Sequence, residues 1–197
     1  MNKHKFKPIE LQHLPLNYSM RIAILTVNKL MSNRLIGQVS DSCWNGIRED
    51  ISGPILRQLI VNSNILSNSD VENFLVSDEK EEITHMLISL CKTFDVIIST
   101  GGTGFSPRDV TPEATENVIE KKCGGLETAL HMRSLQATPL AALSRLCAGI
   151  CGSTLIVNLP GSPKAVKECF EVIEKILPHA VELLTAKVAN HHHPSNH

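Results

Sequence analysis

Short, fully apolar runs alternate along this chain with segments whose apolar residues recur every three or four positions. The apolar runs are typical of strands covered on both faces, and the periodic segments are typical of helices packed on a sheet. Strands are predicted at residues 21–27, 72–76, 95–100, 147–150 and 154–158. Helices are predicted at residues 52–60, after Asp78 through Leu90, at 111–122, 126–135 and 165–177, and from Pro178 to about 189.

This alternation predicts an α/β fold with three layers, in which a mostly parallel sheet is covered by helices on both faces. Parallel neighbours need crossover connections, and helices of this length supply them. We expect one domain over residues 20–189, between tails at 1–19 and 190–197. In such sheets ligands bind at the carboxyl edge of the strands, so the loops that follow the strands are where functional residues are expected.

Composition narrows the class of protein. The 197 residues are 42% hydrophobic and 20% charged, which is enough for one sizeable core. Nineteen basic and twenty acidic residues nearly cancel, so we expect a small polar ligand and neither nucleic acid nor an anionic membrane as partner. Six cysteines without a C-x-x-C pair, and no apolar run of membrane-spanning length or signal peptide, predict a cytosolic protein with free thiols.

The sharpest local feature is the turn Gly101-Gly102-Thr103-Gly104, which follows an apolar strand directly. Glycines allow backbone N–H groups to approach an anion closely, and the hydroxyls of Thr100 and Thr103 add donors, so the turn is a candidate phosphate site. The alternative is an ordinary tight turn. Neither the Walker pattern nor the dinucleotide-binding glycine pattern occurs, which disfavours a P-loop enzyme or a dehydrogenase.

Three charged residues near strand ends are candidates for phosphate and metal chemistry. Arg108 could pair with phosphate oxygens and Asp109 could hold a Mg2+ that bridges them, although a surface ion pair would explain both. Asp78 also follows a strand and could supply a second carboxylate. Its alternative role is local, because Asp78 and Glu81 have the spacing of a capping box.

A third loop, residues 158–164, combines two prolines, a hydroxyl and a cation at a strand end. Pro160, Gly161, Ser162 and Lys164 are its candidates for phosphate contact, and the alternative is a rigid turn with a solvated lysine. Asp41 and Ser42 lie beyond the first strand and are candidates only because of that position.

Together, the strings ISTGGTGFSPRDVTPEAT and LIVNLPGSPKA and the triplet Leu143-Ser144-Arg145 resemble the molybdopterin adenylyltransferase family. That family includes the G domain of gephyrin, the plant two-domain molybdenum-insertion protein and the bacterial stand-alone enzyme. The similarity extends over about residues 21–186, and the order and spacing of the strings make chance a poor explanation.

The resemblance implies an enzyme that transfers AMP from Mg2+-bound ATP to the terminal phosphate of molybdopterin. It implies catalytic and Mg2+-binding roles for Asp78 and Asp109. The expected phosphate, nucleotide and pterin contacts are Thr100, Gly101, Gly102, Thr103, Gly104, Arg108, Ser144, Arg145, Pro160, Gly161, Ser162, Lys164, Asp41 and Ser42. It also implies a homotrimer, and it is compatible with contact to a molybdenum-insertion protein.

The sequence departs from the family pattern in two places. Residues 28–38 stand where the family passes directly from the first strand into the SDSC string, and this insertion could crowd the pocket. Cys151 and the pair Gly124-Gly125 also replace residues usual in the family. Two alternatives to the enzyme therefore stay open, namely a gephyrin-like trimerising scaffold and an inactive family member.

Overall fold

A computed structural model of the protein describes residues 19–27 and 51–190. The predicted insertion, Asp41 and Ser42 lie outside these residues, as do most of both predicted tails. Six strands are β1 (Arg21–Val27), β2 (Asp70–Val76), β3 (Val96–Thr100), β4 (Lys121–Lys122), β5 (Ala148–Cys151) and β6 (Thr154–Leu159). The helices are α1 (Ser52–Val61), α2 (Lys80–Leu90), α3 (Thr111–Glu116), α4 (Gly124–Ala137) and α5 (Pro163–Asn190), with a 3-10 helix at Pro139–Leu143.

The strands form one sheet in the order β2-β1-β3-β6-β5-β4. The first four strands in that order pair in parallel, whereas β5 pairs antiparallel with both β6 and β4. The prediction of an α/β fold with a mostly parallel sheet is therefore confirmed.

Helices cover both faces of the sheet because alternate residues of each inner strand point to opposite sides. In β1, Ile22 and Ile24 pack with Leu56 of α1 and with the buried residues of α4 and α5. Ala23 and Leu25 point the other way and pack with α2 and α3, where Ile83 is fully buried. The inner strands therefore read as continuous apolar runs.

The middle of the chain differs from the prediction made for it. The helix expected over residues 111–122 ends at Glu116, because Glu120 and Cys123 donate backbone hydrogen bonds to β5 and draw Lys121–Lys122 into the sheet edge. The helix predicted over residues 126–135 begins two residues earlier than expected, at the Gly124-Gly125 pair.

The last helix also differs from its prediction. Pro178 was expected to open a separate helix, but it lies inside the single helix α5. The break was predicted because proline lacks the N–H of an α-helical turn. Burial of Leu177 and Val181 on either side of Pro178 holds the helix against the core despite that missing bond.

The ends of the parallel strands coincide in register, which brings the loops after them to one edge. Thr100 pairs with Thr26 of β1 and with Leu159 of β6, and Val27 pairs with Val76. The loops that begin at Ser77, Gly101 and Pro160 therefore leave the sheet at the same level. This edge carries the candidate site.

Two of the predictions drawn from composition concern the cysteines and membrane-spanning segments. Its five cysteines are free thiols, and burial raises the pKa of Cys147 to about 12; Cys43 lies outside the described residues. Within residues 19–27 and 51–190, no helix is both long and apolar enough to cross a bilayer.

Candidate active site

The glycine turn is fixed by hydrogen bonds to all four of its carbonyl oxygens. The Thr111 hydroxyl donates to Gly101 O at 2.9 Å, and the Thr111 N–H donates to Gly102 O at 3.0 Å. Arg145 donates from its N–H to Thr103 O at 2.7 Å and from Nε to Gly104 O at 2.9 Å. Every carbonyl dipole of the turn is thus directed toward the protein.

The N–H groups of the same turn are used differently. Gly101 donates to Leu159 O at 3.3 Å, whereas the N–H groups of Gly102, Thr103 and Gly104 have no acceptor in the described part of the chain. Adjacent N–H groups with a common direction form an anion-binding concavity. The turn can therefore offer three backbone donors to an anionic ligand.

Side chains are excluded from the turn by geometry. Gly101 and Gly102 have φ values of +93° and +65°, in the left-handed region that favours glycine. A Cβ on Gly101 would lie 2.7 Å from Val27 O, and one on Gly102 would lie 2.3 Å from Thr111 Oγ1. The glycines are needed for the turn itself and for its close packing, independently of any ligand.

Asp78 and Arg108 form a bidentate ion pair at the edge of this site. Arg108 donates from Nε to Asp78 Oδ2 at 2.7 Å and from Nη2 to Asp78 Oδ1 at 2.5 Å. The Asp78 side chain is only 8% exposed, whereas Arg108 is 42% exposed and also lies 3.6 Å from Glu79. The hydrogen bonds that Arg108 donates to the Asp78 carboxylate raise the pKa of Arg108 above its ordinary value.

This pair settles the local role proposed for Asp78. Helix α2 begins at Lys80 with Glu79 in the N-cap position, so the capping box predicted for Asp78 and Glu81 is wrong. The bidentate geometry is the strongest arrangement available to a guanidinium and a carboxylate. Asp78 is directed toward the glycine-turn loop through Arg108, across 30 residues of sequence.

Asp109 lies against the turn. Its Oδ2 accepts a hydrogen bond from the Ser106 N–H at 2.9 Å and would be 2.8 Å from a Cβ on Gly104. Its Oδ1 has no hydrogen-bond partner among the described residues. One carboxylate oxygen therefore shapes the loop, and the other is available to a ligand.

Glu113 and Arg145 form a second ion pair behind the turn. Arg145 Nη1 contacts Glu113 Oε1, and Nη2 donates to the Asp109 carbonyl oxygen. Burial acts to raise the pKa of Glu113, but hydrogen bonds from Arg145 and from its own backbone, with the Arg145 charge, lower it overall. Ser144, the residue before Arg145, has its hydroxyl 3.4 Å from that of Thr103.

The loop after β6 reaches the turn through its backbone. A Cβ on Gly161 would lie 3.1 Å from Gly101 Cα, and the Gly161 carbonyl accepts a hydrogen bond from Ser52 of α1 at 2.8 Å. Pro160 is half-buried beside this contact. Ser162 accepts from the Ala165 N–H near the start of α5, and Lys164 is 79% exposed at 4.0 Å from Glu168.

The structure thus brings most of the predicted residues to one edge of the sheet. These residues differ in burial and in hydrogen-bond partners. Thr100 is buried, and its hydroxyl has no hydrogen-bond partner in the described ranges. Ser162 and Lys164 make local contacts at the start of α5. Sequence interpretation missed Glu113, Thr111 and Ser52 as residues that support the site, because only their long-range contacts give them this part.

The part of the chain that is described holds no ready-made cluster of metal ligands. Within it, no group of three or more histidine, cysteine, aspartate or glutamate side chains could hold an ion. A divalent cation at this edge would therefore depend on one or two carboxylates together with ligand oxygens, which is the usual pattern for Mg2+ bound with phosphates.

Known proteins share both the sequence and the fold of this chain. A family described as a probable molybdopterin binding domain matches residues 35–179. The chain is 51% identical over 148 residues to the molybdenum cofactor synthesis protein cinnamon of Drosophila melanogaster, covering 74% of this chain and 24% of cinnamon. It is 40% identical over 147 residues to the molybdopterin adenylyltransferase of Helicobacter pylori, covering 74% of this chain and 83% of that enzyme.

Solved structures agree with the sequence comparison. The molybdopterin biosynthesis Mog protein of Mycobacterium ulcerans aligns with a TM-score of 0.72 at 28% identity, covering 86% of this chain and 99% of that one. The molybdopterin biosynthesis enzyme MoaB of Thermus thermophilus aligns with a TM-score of 0.68 at 37% identity, covering 85% and 97%. With the family match spanning most of its length and the fold shared almost end to end, this chain belongs to the molybdopterin-binding domain family of molybdenum-cofactor biosynthesis.

Proposed function

We propose that this chain is a molybdopterin adenylyltransferase, which transfers AMP from ATP to the terminal phosphate of molybdopterin. The observation that supports this most directly is the Gly101–Gly104 turn, whose carbonyls are all bonded to the protein while three N–H groups remain available. The Helicobacter pylori relative and a 33% identical Escherichia coli relative carry this activity in their names. The chain spans only 24% of cinnamon, so it corresponds to one part of that protein.

The reaction brings two polyanions together, because a phosphate oxygen of the pterin attacks the α-phosphorus of ATP and pyrophosphate leaves. The catalyst's task is therefore mainly to position the reactants and to neutralise charge. The backbone donors of the turn and the Arg108 guanidinium suit that task. No covalent nucleophile is needed, and the buried thiols of the chain have no part in the proposal.

The carboxylates at this edge fit Mg2+ to different degrees. Asp109 fits as it stands, because its Oδ1 is unpartnered within the described residues. Asp78 fits once Arg108 moves, because both of its oxygens accept hydrogen bonds from that guanidinium. When bound with ATP, Mg2+ would neutralise charge on the phosphate oxygens.

The activity is tested by supplying purified protein with molybdopterin and Mg2+-ATP and measuring adenylylated pterin and pyrophosphate. Asp109→Ala should reduce product formation to background, since it removes a carboxylate oxygen that is available without rearrangement. Asp70→Ala is the matched control, because Asp70 is an exposed carboxylate at the first residue of β2, at the opposite end of that strand from the site. Normal turnover by Asp109→Ala would refute the assignment of that residue.

The proposal includes a homotrimer in the cytosol, with product passed to a molybdenum-insertion protein. Exposed apolar side chains on α4, the 3-10 helix and the loop after the turn support assembly: Met132, Leu140, Leu143 and Phe105. The same surface would serve a trimerising scaffold, which differs from the enzyme in binding no pterin. A direct binding measurement with molybdopterin separates the two.

The inactive alternative concerns residues 28–38, which lie outside the described structure. Deleting them should leave an active enzyme unchanged. If the intact chain is inactive and the deletion variant adenylylates molybdopterin, the inactive alternative is correct and the insertion is its cause.

A further inference from the structure

We infer that Arg145 and Glu113 form a positioning pair that holds the glycine turn in its anion-binding form, an inference that rests on the proposed function. Arg145 contacts three carbonyls of the loop and one carboxylate of α3. It directs the carbonyls of residues 103, 104 and 109 away from the ligand side, which leaves the N–H groups of the turn on that side. Neither residue needs to touch the substrate for this effect.

The geometry favours positioning over ligand binding for Arg145. Each of its three guanidinium nitrogens already has a protein acceptor: Gly104 O for Nε, Glu113 Oε1 for Nη1 and the Asp109 carbonyl for Nη2. Its backbone N–H adds a 2.7 Å bond to Thr103 O. A guanidinium that turned to a phosphate would have to leave these acceptors without their donors.

The pair suits arginine specifically. A planar fork can serve acceptors in three directions at once, whereas the lysine ammonium is a compact charge on a flexible stem. Arg145→Lys should keep a cation beside Glu113 and lose the bond to at least one loop carbonyl. Glu113 in turn fixes the plane of the fork, and it does so from α3, which packs on α2 and the sheet.

The test follows the backbone amides of the turn directly by NMR. Protein labelled with 15N in its eleven glycines is titrated with inorganic tripolyphosphate in the absence of molybdopterin, and the Gly102 and Gly104 amides are followed. In the unaltered protein both amides should shift on titration. In Arg145→Lys the unliganded Gly102 amide should already have moved, although Gly102 does not contact Arg145, and tripolyphosphate affinity should fall about tenfold or more.

Two further variants make the result specific. Glu113→Gln keeps an oxygen acceptor for Arg145 and should behave nearly as the unaltered protein, whereas Glu113→Ala should reproduce the Arg145→Lys spectrum. If Arg145→Lys does not fold, Glu113→Ala can be used for the same test. Arg133→Lys is the control, because Arg133 pairs with Glu171 on the surface of α4 and should change neither amide nor affinity.

An unliganded Gly102 amide that stays in place in both Arg145→Lys and Glu113→Ala would overturn the inference, whether or not the affinity falls. A fall in affinity alone would make Arg145 a direct ligand. Because tripolyphosphate is titrated without pterin, the NMR result can be interpreted even if the protein fails the adenylylation assay. The positioning role and the enzymatic role can therefore fail separately.

Discussion

The residues at this site differ in how directly they can bind an anion. The Asp78–Arg108 pair shows this most clearly. The two side chains occupy each other in the absence of ligand, with Asp78 largely buried and Arg108 partly exposed. A phosphate that recruits Arg108 has to compete with Asp78 for the same donors. Asp78 should therefore lower the affinity of the site for anions.

This competition gives variants of the pair opposite effects on anion binding. Asp78→Asn weakens the hold on Arg108 and should tighten the binding of metal-free tripolyphosphate. Arg108→Gln removes a charged donor and should weaken it roughly tenfold or more. Isothermal titration calorimetry at fixed ionic strength measures both, and weaker binding in both variants would mean that the pair only maintains the loop.

Two glycines in different surroundings should respond in opposite directions to alanine. Gly102→Ala places a Cβ in left-handed backbone and displaces the Thr111 hydroxyl, so we expect a loss of roughly 2–3 kcal/mol in the free energy of unfolding. Gly125 is the second residue of α4 and has open space around it, so Gly125→Ala should gain up to about 1 kcal/mol. Urea unfolding followed by circular dichroism checks both signs.

The sequence allowed part of this site to be predicted at the residue scale. Strand-end position and residue type made Gly101 and Asp78 candidates, and the loop after the glycine turn made Asp109 one, because these properties are local in the sequence. The roles of the two aspartates were implied by the family resemblance. The pairs that shape the site could not be found in this way. Arg145 contacts Glu113, which is 32 residues away in the sequence, and Gly104, which is 41 residues away. Contacts over such separations produce no periodic or local pattern in the sequence.

Secondary-structure elements were predictable where burial alone decides them. The inner strands β1, β3 and β6 are mainly apolar and were found, whereas the two-residue β4 is held by pairing to β5 and has no pattern of its own. Its sequence, Lys121-Lys122, reads as the polar end of a helix. The start of β2 at Asp70 was missed for a related reason, since this edge strand exposes Asp70, Glu72 and Asn73.

Helix α5 offers a test of how packing overrides a local preference. Proline costs about 3 kcal/mol relative to alanine inside a helix, and two buried ring methylenes return about 0.8 kcal/mol each. Pro178→Ala should therefore raise the free energy of unfolding by about 1 kcal/mol, measured by urea denaturation. A loss of stability on this substitution would mean that the helix bends or breaks at Pro178 in solution.

At the scale of the whole molecule, the site edge and the exposed apolar surface are separate features of one sheet-and-helix body. Parallel strands that end in register bring the loops after β2, β3 and β6 to the same level, and this was predictable from topology rules. The surface that includes Met132 and Leu140 was not, because α4 has little amphipathic pattern and Leu140 lies outside every predicted element. Exposure of this kind on several neighbouring elements marks an interaction surface.

We propose that the homotrimer assembles through that surface. We expect sedimentation equilibrium to give three times the mass of one chain, and Met132→Glu combined with Leu140→Glu to reduce it to the monomer. Ile88→Glu is the control, since Ile88 is an exposed apolar residue of α2 on the other face of the sheet. A monomeric unaltered protein, or a trimer unaffected by the double substitution, would remove this surface from the assembly.

The close packing of Gly161 on Gly101 limits which substitutions this protein can accept during evolution. A side chain at Gly161 would meet the main chain of Gly101, and one at Gly101 would meet the main chain of β1. Since no loss of side-chain bulk elsewhere can relieve a contact with backbone, neither position has a compensating partner. The contact at Gly101 would be 2.7 Å in left-handed backbone, whereas the contact at Gly161 would be 3.1 Å and needs a smaller shift. A library carrying all single substitutions should therefore show Gly101 as almost intolerant and Gly161 as more tolerant, while Gly124, which has open space around it, accepts wide replacement.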